Sequence, residues 1–218
     1  MDIQHLTERY ARLSHRERLE AIFEDFERVL VTSSFGTTSA ILLHHLARVR
    51  PGHPVYFIDT QYHFKETYAY AEELSRRWNL NVVPVQPKFN EHAYTRLDYT
   101  WAHDPDLCCS LNKIMPLEPL KEQHQVWVSG MLGDGNELRR SQKLFKQEGA
   151  LLRFYPFFDM NEQEGYWYRV ANELPDHPLE ARGYGSIGCT HCTRRGAGRS
   201  GRWAGFSKTE CGLHTLQS

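Results

Sequence analysis

The sequence predicts an α/β fold, a parallel sheet flanked by helices, followed by an irregular C-terminal tail. Three observations carry this. Short apolar, β-rich runs alternate with stretches of helical period. A turn of small residues follows the first of those runs and opens a helical pattern. The last thirty or so residues lack long periodic elements, yet hold Cys189, Cys192 and Cys211 of five cysteines. A chain of 218 residues is one ordinary domain, expected here over 1–218. Within it 1–27 reads as an N-terminal helix, 28–185 as the α/β core and 186–218 as the tail.

Residues 3–27 carry Leu6, Tyr10, Leu13, Leu19, Ile22, Phe23 and Phe26 at roughly helical spacing, so one helix is expected. Val29-Leu30-Val31-Thr32 reads as a buried parallel strand. Ser33 to Ser39 turns into a helix from Ala40 to about Val49, stopped by Pro51 and Gly52. Val55 to Ile58 is a second strand, ending at Asp59, and Glu66 to Trp78 a helix. Val82 to Val85 is a third strand, interrupted by Pro84. Residues 86–107 read as loop with a short helix, and Lys113 to Gln123 as a helix with Pro116 and Pro119 near its start. Val126 to Ser129 is a fourth strand, 130–149 a charged mobile loop, Leu151 to Tyr155 a fifth strand, and Glu162 to Glu173 a helix. Strand–helix alternation makes a parallel sheet the expectation, since each crossover helix returns the chain to the same end of the strands.

Composition excludes several classes. A net charge of −1 argues against a broad nucleic-acid surface. No apolar run is long enough to span a membrane, and the N-terminus lacks the pattern of a secretory signal. A cytoplasmic setting with reduced thiols follows as the expectation. An odd number of cysteines leaves one over from any purely disulfide framework.

Ser33-Ser34-Phe35-Gly36-Thr37-Thr38 lets backbone N–H groups approach an anion at a helix N-terminus. The plainer alternative is a strand-to-helix turn capped by Thr37 or Thr38. Cys108-Cys109 together with Cys189-x-x-Cys192 supplies four thiols, which suits zinc or an iron–sulfur cluster, although adjacent cysteines need an irregular backbone or a helix start to reach one centre. Two inert buried thiols are the alternative for the first pair. Cys211, with Lys208 and His214 close by, has the cations that favour a thiolate nucleophile, against an inert tail cysteine. Arg194, Arg195, Arg199, Arg202 and Lys208 form either a solvated face or an anion clamp. His191 is expected to face solvent, and His44 and His45 the helix surface.

These residues resemble the assimilatory sulfonucleotide reductases, and among them the cluster-bearing branch acting on adenosine 5′-phosphosulfate. The resemblance rests on Ser33-Ser34-Phe35-Gly36; Asp59-Thr60 with Tyr62, Phe64 and Glu66-Thr67-Tyr68; Cys108-Cys109 with Lys113; His177-Pro178-Leu179; Gly183-Tyr184 with Ser186-Ile187-Gly188; Cys189-Thr190-His191-Cys192; Gly201-Arg202-Trp203; and Glu210-Cys211-Gly212-Leu213-His214. It implies a Rossmann-like sheet of the adenine-nucleotide α-hydrolase type. It implies a 4Fe-4S cluster on Cys108, Cys109, Cys189 and Cys192 that tunes the local field rather than carrying electrons. Cys211 is implied as the nucleophile, with substrate contacts from Ser33, Ser34, Phe35, Gly36, Asp59, Lys113, Arg199, Arg202 and His214. Thioredoxin or glutaredoxin is the implied reductant, and homo-oligomerisation is left open. The alternatives are the 3′-phosphorylated substrate and, in place of an enzyme, a non-catalytic nucleotide-binding iron–sulfur redox sensor. The chain departs from the family where a twin-arginine loop is usual: it reads Met131-Leu132-Gly133-Asp134-Gly135-Asn136, with Arg139 and Arg140 later.

Overall fold

The computed structural model describes residues 2–133, 137–140 and 142–213. Two helices open the chain rather than the single one expected: α1 (Ile3–Ala11) and α2 (His15–Asp25). The break falls at Ser14, which caps α2 through a reciprocal box with Glu17: the Ser14 hydroxyl accepts from the Glu17 N–H, and Glu17 accepts from the Ser14 N–H.

There follow β1 (Val29–Ser33), α3 (Ser39–Val49), β2 (Pro54–Ile58), α4 (Lys65–Trp78), β3 (Asn81–Val85) and α5 (Phe89–Leu97). A short helical turn at Thr100–Ala102 leads into α6 (Pro105–Cys109), a π-helical stretch (Ser110–Ile114) and α7 (Met115–Gln123). The rest comprises β4 (Val126–Ser129), α8 (Glu137–Arg140), β5 (Phe145–Glu148), β6 (Leu151–Phe154) and α9 (Glu162–Ala171).

The six strands are ordered β3-β2-β1-β4-β6-β5. All neighbours run parallel except β5, which lies antiparallel on β6 at one edge. The loop expected over 130–149 therefore contains α8 and β5, and the sheet is mixed at that edge. Pro84 is tolerated because β3 is the other edge strand, where a missing N–H donor need not break a ladder.

Side chains of the strands alternate between two cores, as a period of two requires. Val29, Val31, Val55, Phe57, Val126, Val128 and Phe154 face the larger core with Tyr10, Ile22, Leu43, Leu46, Tyr70 and Leu74 from the first helices. Leu30, Ile58, Trp127 and Leu151 face the smaller core, closed by Leu117 of α7 and by Leu213 of the tail. His45 is buried on α3, not on its surface, its ring stacked on Tyr168 of α9 at 4.7 Å and set against Phe157, and His44 is part-buried, with Nδ1 2.7 Å from Tyr168 Oη. No described helix is long and apolar enough to cross a membrane.

Candidate active site

The chain builds outward from β1 through β2 to β3, then crosses to the opposite side of β1 to lay down β4. Loops leaving β1 and β4 therefore diverge at the carboxyl ends of those strands, and a crevice opens there. A cavity of ≈ 210 Å³ occupies that place. Ser33, Ser34 and Gly36 line it from β1, and Ser129, Gly130, Met131 and Leu132 from β4. The tail closes the other side with Ser186, Ile187, Gly188, Arg199, Arg202, Glu210 and Cys211, while Lys113 and His63 complete the wall.

The turn after β1 is shaped for this. Phe35 adopts φ 49° and its N–H donates to Ser33 Oγ at 3.1 Å. Its ring points into the larger core, edge-on to Phe57, so Phe35 supports the turn without lining the cavity. Thr38 is the N-cap of α3 but makes no side-chain capping bond. The N-terminus of an eleven-residue helix and the hydroxyl-bearing turn both face the cavity, which suits an anion.

Asp59, expected as a substrate contact, does not line the cavity. Its carboxylate accepts from Tyr68 Oη and Gln86 Nε2, each at 2.7 Å, and from the Gln61 N–H at 2.9 Å. It braces the loop after β2. His214 and Asp134 to Asn136 lie outside the described residues.

The basic run of the tail divides. Arg194 and Arg195 are exposed and stay off the cavity. Lys208 pairs with Asp106 of α6. Arg199 and Arg202 turn inward, and both donate to Ser186 Oγ at 3.4 Å. Arg202 lies across the backbone of Gly188, where a Cβ would stand only 2.3 Å from its Nη2. Arg139 of α8 also reaches the cavity, so an arginine arrives from the segment after β4 although the sequence places it later than expected.

Cys108 and Cys109 end α6, just before the backbone widens into the π-helical stretch. The widening begins only after Cys109, whose own backbone is helical at φ −66° and ψ −37°. Cys189 and Cys192 approach from the tail, where the Thr190 N–H donates to the Tyr62 carbonyl at 2.8 Å. Cys108, Cys189 and Cys192 pack together with Tyr62 and Trp101. Burial, reinforced by Cys109, Cys189 and Cys192, pushes the Cys108 thiol up to about 12. Burial and the neighbouring Cys189 and Cys109 push Cys192 up to about 11. Burial likewise raises Cys109. Burial alone would push Lys113 down, but the sulfurs of Cys189, Cys109 and Cys211 outweigh it and hold its ammonium above the usual lysine range. Thr60 Oγ1 lies 3.2 Å from Cys189 Sγ, and Asn112 Nδ2 3.8 Å from Cys108 Sγ.

Cys108, Cys109 and Cys192, whose ionisation burial disfavours, suit a centre that brings positive charge to them. Among the described residues, no three His, Cys, Asp or Glu side chains converge closely enough to hold one metal ion. The donor types, four thiols in two pairs, are those of zinc and of iron–sulfur centres alike. His191 is exposed, as expected, and its ring stacks on Trp101 at 3.9 Å.

Glu210, His63, Ser186 and Trp203 belong to the site without having been singled out for it. Glu210 carried a signal, a carboxylate beside the candidate nucleophile in a basic tail. His63 carried none that separates it from the other histidines.

Comparison with known proteins agrees with this geometry. Residues 28–195 match the phosphoadenosine phosphosulfate reductase domain. Relatives named adenosine 5′-phosphosulfate reductase include that of Bacillus cereus strain 03BB102, 37% identical over 88% of this chain and 86% of the relative. That of Bacillus cytotoxicus is 38% identical over 86% of this chain and 84% of its own. The phosphoadenylyl-sulfate reductase of Candida auris, solved with phosphate, has a similar fold, with a TM-score of 0.77 at 23% identity over 88% of this chain and 96% of that one. With a six-stranded sheet, a crevice at its switch point and a family match across the core, the chain belongs to the phosphoadenosine phosphosulfate reductase domain family.

Proposed function

We propose that the protein reduces adenosine 5′-phosphosulfate to sulfite and AMP, with Cys211 as the nucleophile and a thioredoxin-like dithiol as reductant, as part of sulfate assimilation. The observation that supports this most is the placement of Cys211. It lines the same cavity as Lys113, Arg199 and Arg202, opposite the small-residue turn after β1. A sulfuryl group is anionic, so an anionic nucleophile reaches it only where cations offset the repulsion. The relatives named for this substrate, rather than its 3′-phosphorylated form, favour it.

The turn at Ser33, Ser34 and Gly36 and the N-terminus of α3 hold the phosphate end, and Arg199, Arg202 and Lys113 gather on the sulfuryl oxygens. The Cys211 thiolate attacks the sulfur, an S–S bond forms, and the bond from sulfur to the phosphate oxygen breaks. AMP leaves with that electron pair, and Cys211 carries an S-sulfonate. A thiolate of the dithiol attacks Cys211 Sγ and expels sulfite. Its second thiol then resolves the mixed disulfide, so the dithiol is oxidised and Cys211 returns as a thiol.

Cys108, Cys109, Cys189 and Cys192 would hold a 4Fe-4S cluster. When bound, that group supplies a fixed charge beside Lys113 and the substrate. The reading implies a setting where thiols stay reduced and a dithiol donor, thioredoxin or glutaredoxin, is at hand, as in the cytoplasm.

Sulfite release tests the proposal, measured with reduced thioredoxin and each nucleotide on protein whose iron and sulfide content is known. Sulfite from adenosine 5′-phosphosulfate is expected. Sulfite from the 3′-phosphorylated form alone reassigns the substrate, and nucleotide binding without sulfite from either makes the protein a non-catalytic sensor.

A further inference from the structure

Glu210 precedes the proposed nucleophile, and its side chain is 1% exposed. A carboxylate that deep is stable only when paired. Its Oε1 lies 2.6 Å from Arg139 Nε, and its Oε2 lies 2.9 Å from Arg199 Nη2. Both arginines and Glu210 itself line the nucleotide cavity. The two guanidiniums come from distant parts of the chain, one from α8 and one from the tail.

The pair suits an anion. Burial, with Arg139 alongside, lowers Arg199 to about 10. Arg199 Nη2 also donates to the Thr209 carbonyl at 3.0 Å, but its Nε is buried without a hydrogen-bond acceptor. A tetrahedral anion has more acceptor oxygens than one carboxylate and could satisfy that donor too. Glu210 sits between two other tethers of the tail, Lys208 on Asp106 and the Leu213 carbonyl on Arg153.

We propose that Glu210 is a positioning residue that seats Cys211 by occupying Arg139 and Arg199, and that the sulfate end of the substrate competes with it for the same two guanidiniums. The tail carboxylate thus stands in for substrate charge when the cavity is empty of nucleotide, and an arriving anion loosens the segment that bears the nucleophile. This rests on the reading of the cavity as a phosphosulfate site.

The test is the rate at which iodoacetamide alkylates Cys211 in iron-replete, nucleotide-free protein, located by peptide mass spectrometry. In the wild type alkylation should be slow, and millimolar sodium sulfate should speed it, against sodium chloride of equal ionic strength. Glu210→Gln should be alkylated about tenfold faster, the factor that corresponds to losing about 1.4 kcal/mol of seating, and should no longer respond to sulfate. Arg139→Gln should behave the same way, which covers the case in which the first variant does not fold. An unchanged rate in a folded variant, or a wild-type rate indifferent to sulfate, overturns the proposal. Neither readout needs turnover, so failure to release sulfite would sink the enzymatic reading and leave this result standing.

Discussion

Thr60 Oγ1 lies 3.2 Å from Cys189 Sγ, joining the end of β2 to the cysteine-bearing tail across 129 residues. Both groups are buried, and Cys189 is further tied to His63 by an isolated bridge. The loop after β2, braced by Asp59, thus fixes where the tail cysteines meet those of α6. Thr60→Val should cost about 1 kcal/mol, the net worth of one buried hydrogen bond. Thr60→Ser should restore it. Thermal unfolding checks the stability, and, on the proposal that these cysteines hold a cluster, the rate of iron loss to a chelator checks the effect on them, with Thr60→Val losing iron faster.

Gly188 lies under the guanidinium of Arg202, with 2.3 Å between its missing Cβ and Nη2. The conflict is with a guanidinium that also donates to Ser186 Oγ and to the Ile187 and Cys192 carbonyls, so Gly188→Ala should cost about 1 kcal/mol for each of these bonds it breaks. It should turn Arg202 away from the cavity and remove a charge-assisted contact worth about 1.5–3 kcal/mol. The expected result is a rise in KM for the nucleotide of about tenfold or more. Equal KM values for the two proteins would remove Arg202 from the substrate site.

Among the buried histidines, His63, lowered by burial to about 4, His177 and His45 tie stability to pH. Burial lowers His177 to about 4 and His45 to about 3, while an unfolded histidine titrates near 6.5. All three folded values lie below the unfolded one, so folding favours the neutral rings. Their contribution is complete above about pH 6.5 and is lost as pH falls from there toward 4. For His177 the full effect is on the order of 3 kcal/mol. The melting temperature should fall steeply across that window, and His45→Phe, which keeps a ring against Tyr168, should flatten the fall.

Arg18 of α2 is buried and clasps Asp159 through two bonds of 2.7 Å each, besides donating to the carbonyls of Tyr10 and Pro156. It bolts the N-terminal helices to the segment before α9. Because Asp159 is partly exposed, removing it should cost less than the 3–5 kcal/mol of a fully buried pair, about 2 kcal/mol. Chemical denaturation of Asp159→Ala gives the value, with activity per folded molecule unchanged.

Sequence pattern located β1, β2, β4 and β6, because each is a buried apolar run bounded by turn residues. It missed β5, an edge strand whose only fully buried residue is Phe145 among Lys146, Gln147 and Glu148. The division between α1 and α2 was encoded in Ser14-x-x-Glu17, a capping signature hidden by continuous apolar spacing on either side. In the site, local motifs pointed to the turn after β1 and to both cysteine pairs, while only the family resemblance separated Arg199 and Arg202, which line the cavity, from the rest of the basic run. The motifs could not show that Asp59 is engaged by Tyr68 and Gln86, or that Glu210 meets Arg139, since those partners lie 9, 27 and 71 residues away.

The most direct measurement is the mass of the Cys211 peptide after iron-replete protein meets adenosine 5′-phosphosulfate without a dithiol. A gain of one SO3 unit on Cys211, released as sulfite when reduced thioredoxin is added, is the predicted result. An unmodified Cys211 peptide, or the same adduct on Cys211→Ser protein, would contradict it.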